Sequence, residues 1–446
     1  LAQDGEEMQS RKEAETEFGP NGDEEEESDG DSNERDDRTG DLSKSDLKKP
    51  ADESDGGGTD AGDTNADTDT DTKAAADDVA TQSLGFGRRR GGGSDSALDT
   101  PGQRAPEGPE FDLNVFGYIR FLGVIVQDDP EVSFVGRNDG YRIQNARIGV
   151  EGRFKDKVYL RLSADGADDE RDGANDVEGT LRFGLKDAFA DVKLADALQL
   201  RVGRYPIIFD LERFTSAVRR GFISRSLESR GVAATEGFGS PGLGVSRNMG
   251  LALRSPRAFD NGSMALGYEI AAQNGNGSLD AQNDNDSLAY SGSVITHIGQ
   301  SFLMFGSFRY NERTEGELPF RRTERDLGTA FGAWFENDDL RVAGQLIFRR
   351  TTFPTTGSPV ENAWGGHAEV IVAIPGVDGL KAGYRFSLLD ESDRIEANSV
   401  QEHTAGASLD LPSYGVNFKL NAVLPLEEAG RELDNARGEM LVEVQL

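Results

Sequence analysis

From about residue 111 to the end of the chain, apolar and polar residues alternate in short segments of period two. Such alternation belongs to strands that show one face to an apolar medium and the other to a polar one. Between Leu380 and Leu389, residues Leu380, Ala382, Tyr384, Phe386 and Leu388 fall on one face, and Lys381, Gly383, Arg385 and Ser387 on the other. In the last segment Met440, Val442, Val444 and Leu446 alternate with Glu443 and Gln445. Sixteen such segments run from Leu113 to Leu446, the fourth from Gly179 to Leu194, the fifth from Leu198 to Phe209 and the sixth from Gly244 to Arg254. Their connectors alternate between short and long. Asn337-Asp338-Asp339, Pro375 to Gly379 and Pro412 to Gly415 are tight, whereas Asn311 to Arg325 and Asp390 to Val400 are extended. An even strand count with tight turns at one end and long loops at the other predicts an all-β, sixteen-stranded antiparallel transmembrane barrel over residues 111–446. A soluble β-sandwich is the competing reading, and it gives no reason for connectors that alternate in length. Trp334, Trp364 and Tyr310 are expected in the aromatic girdles at the membrane interfaces.

Composition narrows the picture. The 446 residues hold no apolar run of transmembrane-helix length, the longest extending from Phe121 to Val126, so a helical membrane protein is excluded. There is no cysteine, which removes disulfides and thiolate chemistry. Residues 1–110 carry 32 acidic against 12 basic residues, so about 20 of the 33 net negative charges sit in this stretch. It has too few apolar residues to offset its ordering entropy and is expected to be a disordered acidic tail. Gly85 to Gly93, with Arg88, Arg89 and Arg90, reads as a flexible linker at its end. Its Asp-rich tract from Asp67 to Thr72 is a loose calcium-binding candidate, but no complete EF-hand loop is present. The opening Leu1-Ala2-Gln3 is read as the remnant of a signal cleavage site.

Three stretches carry a likeness beyond the barrel pattern. Arg142 to Gly152 (RIQNARIGVEG), Lys186 to Leu194 (KDAFADVKL) and Val202 to Ser216 (VGRYPIIFDLERFTS), continued by Phe222 to Leu227, resemble the second strand, the fourth strand and the fifth strand entering the third loop of the phosphate-selective porin O and P family. The resemblance implies a sixteen-stranded channel of the bacterial outer membrane, commonly trimeric, whose third loop folds inward. It also implies passive diffusion of small hydrophilic solutes and contact with outer-membrane lipid and lipopolysaccharide. Phosphate-specific members place a lysine in that loop, and the loop here has none.

The third-loop interval holds Arg213, Arg219, Arg220, Arg225 and Arg230, with Glu228 the one acid between the first and last. Folded inward, it would concentrate cationic charge where water is scarce, a setting that suits phosphate or other oxyanions because the guanidinium fork binds them bidentately. Inward-phase Arg120, Arg147, Arg153, Arg161, Arg201, Arg309, Arg341, Arg349 and Arg385 extend this set along the wall. Alternatively they pair with Glu151, Asp187, Asp191, Glu369 and Asp410 as structural ion pairs. Two other functions compete with the channel. A scaffold barrel would use the acidic tail to recruit an envelope partner. A hydrolase would draw on His297, His367 and His403, with His367, Glu369 and Ser408 as its one conceivable grouping, but no nucleophile elbow accompanies them. Gly275-Asn276-Gly277 lacks the context of a nucleotide fingerprint. Neither a cofactor, a metal nor a nucleic-acid partner is expected.

Overall fold

The strand order follows from the period-two pattern, which lets each segment bury polar groups against the lumen while its other face stays apolar. The computed structural model describes residues 111–446 apart from 133–134, 137–138, 156, 167–182, 234, 276–282, 284, 316–320, 355–359 and 429–432. The acidic tail, its linker and the Asp-rich tract lie outside the described residues. Sixteen strands form the barrel: β1 (Phe111–Val126), β2 (Gly140–Phe154), β3 (Val158–Asp165), β4 (Gly184–Ala195), β5 (Leu198–Pro206), β6 (Arg247–Asp260), β7 (Met264–Gln273) and β8 (Ala289–Ile298) make one half. The other half is β9 (Phe302–Glu315), β10 (Arg322–Glu336), β11 (Leu340–Thr352), β12 (Glu361–Ala373), β13 (Leu380–Asp390), β14 (Val400–Leu411), β15 (Val416–Glu427) and β16 (Arg437–Gln445). Every neighbour is antiparallel, and β1 closes on β16 with Tyr118 opposite Gln445 and Val126 opposite Arg437.

Tight turns end the strands at one mouth by local side-chain chemistry. Asn337 Oδ1 accepts from the backbone N–H of Asp339 and Leu340, and Asn261 Oδ1 does the same for Ser263 and Met264. At Gly415 the chain turns with φ 64°, where a side chain would be strained.

The expected faces are found. Val370 and Val372 are exposed on the outer surface and Ile371 between them is buried; Tyr384 points out and Arg385 in. Three expectations need correction. The fifth strand stops at Pro206 and the sixth begins at Arg247, because Ile207, Ile208 and Phe209 form an unbroken apolar run that cannot alternate and instead turns inward to pack. The fourth strand begins at Gly184, the residues before Phe183 being outside the described set. Trp334 is no girdle residue: it faces inward, 5% exposed, with its ring 6.4 Å from that of Phe214. Trp364 and Tyr310 do stand on the outer face.

Candidate pore constriction

The long connector between β5 and β6 enters the barrel instead of leaving it. Asp210 caps a single helical turn, α1 (Leu211–Phe214), by accepting from Glu212 N–H at 2.9 Å, and Ser226 precedes a second turn, α2 (Leu227–Arg230). A two-residue ribbon then pairs Gly231–Val232 with Ser240–Pro241. The apolar side of this loop docks on an apolar patch of the inner wall. Ile207, Ile208, Phe209, Leu211, Phe214 and Leu227 pack against residues of β8 to β14, among them Ile295, Phe305, Trp334 and Ile347. Phe214 is fully buried with its ring edge-on to Phe305 at 5.2 Å. Burial of each such side chain contributes roughly 1.5–3 kcal/mol.

A polar keystone fixes the same loop to β11, β12 and β13. Gln345 donates to Asp210 Oδ1 at 3.1 Å and Glu228 Oε1 at 2.8 Å, while its own Oε1 accepts from Leu211 N–H at 2.7 Å. His367 Nδ1 lies 2.5 Å from Glu228 Oε1, and Arg385 Nη1 donates to Glu212 Oε1 at 3.1 Å. Burial disfavours ionisation of Glu212, but the charges of Arg385 and His367 and the hydrogen bonds from Ser226 outweigh it and hold the carboxyl at about 2. For Asp210 burial wins over Arg213 and Ser229 and pushes the carboxyl up.

Beyond α1 the chain runs as an arc against the wall from β11 round to β2. Its backbone oxygens are taken by wall side chains: Arg219 O by Arg341 at 2.9 Å, Arg220 O by Lys419 at 2.7 Å, Ile223 O by Arg120 at 3.1 Å, Ser224 O and Arg225 O by Arg385 at 2.9 and 3.2 Å. Gly221 lies against Ile371, where a Cβ would meet the tip of the Ile371 side chain at 2.0 Å, so a larger residue here would have to displace that tip. Ile223 joins Leu122, Val124, Val126 and Leu441 in a second apolar cluster.

The wall on the other side, β2 to β7, is built from charge. Asp187 gathers Arg147, Arg161 at 3.6 Å and Arg247 at 2.6 Å. Arg201 clasps Asp191 through two bonds of 2.6 and 2.7 Å, Arg254 faces Glu269 at 3.6 Å, and Lys186 meets Asp165 at 2.9 Å. The guanidinium groups of Arg161 and Arg201 lie 4.4 and 4.1 Å from the ring centroids of Phe116 and Phe189.

The residues singled out from the sequence thus fall into distinct settings. Arg213 donates to Ser229 O, and Arg230 is paired with Glu236 at 2.5 Å and Glu402 at 2.6 Å. Arg219, Arg220 and Arg225 belong to the arc, Arg219 being the half-buried member. On the wall, Arg120 pairs with Glu443 and Arg341 with Glu369. Arg153 is exposed near the tight-turn mouth, beside the ring of Tyr159. Arg309 and Arg349 face the lumen from β9 and β11. Asp410 lies at the tight-turn end of β14. Arg247, Arg254, Lys186, Lys419, Gln345 and Glu402 escaped the sequence reading, although strand phase alone puts Arg254 on the inner face. The grouping of His367 and Glu369 with Ser408 is not assembled. His367 is level with Ser387 and Glu402, so Ser408 stands six residues further along its strand, roughly 20 Å away. Among the described residues no cluster of three metal-ligating side chains occurs.

A closed antiparallel barrel of sixteen strands, with the connector after its fifth strand folded into the lumen, has the architecture of an outer-membrane porin. Residues 123–293, from β1 into β8, match the family described as Phosphate-selective porin O and P, which bears out the resemblance seen in the sequence. Among solved structures, the anion-selective porin of Comamonas acidovorans is similar at 13% identity and a TM-score of 0.55, covering 76% of this chain and 100% of its own. The outer-membrane channel DcaP of Acinetobacter baumannii gives 11% identity and 0.53, with 77% and 99% covered. The trimer form of OmpT, an outer membrane protein of Vibrio cholerae, gives 7% and 0.50, with 76% and 100% covered. No curated protein sequence matches the chain.

Proposed function

We propose that the chain is a channel for passive diffusion of small hydrophilic solutes and that its inward loop biases the narrowest section toward anions, phosphate or other oxyanions among them. The carrying observation is the arc from Arg219 to Arg225. Five of its carbonyl oxygens are occupied by wall donors, and the loop acids Asp210, Glu212, Glu228 and Glu236 are engaged by Gln345, Arg385, His367 and Arg230. The arc thus brings three guanidinium groups to the narrow section, those of Arg220 and Arg225 buried and that of Arg219 half-buried, in a region of low effective dielectric. Reversal potentials of single channels in planar bilayers under a potassium chloride gradient test this. Anion preference is expected, and a cation preference at both low and high salt overturns it.

A homotrimer accords with the trimer form of the similar OmpT barrel. The even strand count carries both barrel ends to the tight-turn mouth, which faces the periplasm in outer-membrane barrels. Residues 1–110 are accordingly proposed as an acidic periplasmic segment separate from the barrel. Limited proteolysis should then leave a core of about residues 111–446 that still migrates heat-modifiably on gels, and loss of the barrel with the tail would refute the division.

A further inference from the structure

Where the inward loop presses on the wall, the wall lacks side chains. A Cβ on Gly328 of β10 would meet the ring of Phe209 at 2.9 Å, and one on Gly365 of β12 would meet the Cβ of Glu228 at 2.6 Å. A third such place lies under the arc and holds two glycines. Gly383 on β13 and Gly406 on β14 stand directly opposite each other in the sheet, and the ring of Phe222 is seated over the pair. Cβ atoms on the two glycines would meet that ring at 3.2 Å and 3.0 Å. Glycine inside a strand forgoes packing and costs backbone entropy, so two facing glycines mark a place where another part of the chain comes close to the sheet.

Phe222 is 1% exposed although it belongs to a loop inside a lumen. Ile371 of β12 closes one side of its socket, lying against both Gly221 and Gly383. The Arg385 guanidinium covers the ring, 4.9 Å from its centroid, and is itself fixed by Glu212 Oε1 at 3.1 Å and Ser224 O at 2.9 Å. On either side of Phe222 the arc is held by its backbone oxygens, Arg220 O by Lys419 and Ile223 O by Arg120. Those donors sit on long side chains that can follow a small shift of the loop, so they fix the arc along the wall more firmly than they fix its depth. Depth is set by the contact of the ring with the sheet, because close-packed atoms resist compression and an added methylene forces its neighbours to move.

We propose that Phe222 and its two-glycine socket set the width of the constriction: the ring is the stop on which the arc rests, and its seat fixes how far the arc stands out into the lumen. Phe222 is a positioning residue, acting on permeation through the arc that carries it. The inference rests on the channel reading, and its sign can be reversed from either side of the contact. Gly406→Ala raises the floor against the ring and the tip of Asn421, and Phe222→Trp enlarges the ring. Each should push the arc inward and lower the single-channel conductance of the folded barrel in planar bilayers. Phe222→Ala removes the stop and should raise conductance, with more open-channel noise. Beside Phe222→Ala the new methyl has room, so adding Gly406→Ala should no longer lower conductance. A ring that only stabilised the fold would give no such reversal of sign. Urea unfolding of the wild type, the two single variants and the double variant closes the same cycle without conduction: Gly406→Ala should destabilise the wild type and cost much less beside Phe222→Ala. Heat-modifiable migration verifies folding, and Phe222→Trp carries the test if Gly406→Ala does not fold. Conductance unchanged or raised in Gly406→Ala and Phe222→Trp, or a Gly406→Ala effect that persists undiminished beside Phe222→Ala, overturns the proposal. A wild-type barrel that forms no channel strikes the functional reading above, and the socket then stands or falls on the urea cycle.

Discussion

The two halves of the inner wall hold their shape by different physics. From β8 to β14 the lumenal face carries Ile295, Phe305, Trp334 and Ile347, an apolar patch that would be costly against water and is covered by the inward loop. From β2 to β7 the same face carries Arg147, Arg161, Arg201, Arg247 and Arg254 around Asp187, Asp191 and Glu269. One wall is a docking surface for a plug of its own chain. The other is a braced electrostatic lattice, stiff because Asp187 is shared by three arginines and because Arg147, Arg161 and Arg201 are each held by a carboxylate and an aromatic ring at once. The contrast teaches that a barrel lumen need not be uniformly polar: strand phase decides which side chains point in, and the loop decides which of those meet water.

Removing the hub of the lattice is expected to have the largest effect. Asp187→Ala leaves Arg147, Arg161 and Arg247 without their common partner and should cost about 3–5 kcal/mol in urea unfolding, less at high salt because screening relieves the exposed repulsion. Phe214→Ala attacks the other wall. A buried phenylalanine truncated to alanine costs about 3–5 kcal/mol, but where the loop can undock the loss is limited to docking, so the measured change should be smaller and insensitive to salt. Emission from Trp334, 6.4 Å from Phe214, should shift red while barrel heat-modifiability persists. Should both variants show the same salt dependence, the contrast between the walls is broken.

Function sharpens the comparison next. Arg219, Arg220 and Arg225 changed together to alanine should lower the anion-to-cation permeability ratio severalfold and raise conductance, since the arc loses three cationic side chains while its backbone bonds to Arg341, Lys419 and Arg120 remain. Unchanged conductance would place the constriction elsewhere. The smallest effect is expected from acid. Glu212 is held at about 2 against an ordinary 4.5, so its contribution to docking is complete above pH 4.5 and is lost as pH falls toward 2. Asp210, pushed up, works in the opposite sense, because its ionised form is disfavoured in the docked loop above its ordinary range. Single-channel recordings between pH 5 and pH 2.5 should show increased open-channel noise and larger conductance steps as the loop loosens. Glu212→Gln should flatten that dependence.

The strands were legible because period two is a local property. Any eight residues from β13 or β16 show it, and tight Asn- and Gly-bearing turns mark where each pair ends. Legibility failed where the chain answers to distant partners. Ile207 to Phe209 read as strand because a continuous apolar run does not announce which surface will cover it. Trp334 read as an interfacial residue for a similar reason: its partner Phe214 lies on a loop whose path no local pattern gives. The cluster of five loop arginines was visible, but their division into Arg213 and Arg230, tied within the loop and to Glu402, and the arc residues was not. The contacts that decide it, such as Arg385 with Glu212 across 173 residues of sequence, are set only once the barrel has closed.

That closure has a temporal meaning. β1 and β16 are joined by Leu441 opposite Leu122 and by Leu446 N–H bonding Gly117 O at 3.0 Å, so the final residues of the chain complete the first strand. Until that seam forms, β1 and β16 are unpaired edges, and pairing over so long a sequence separation is slow and exposed to aggregation. The inward loop belongs to the fifth connector and is made long before that point. It must therefore be enclosed as the ring shuts, which makes its apolar docking on β8 to β14 a folding event that the final seam then locks in place.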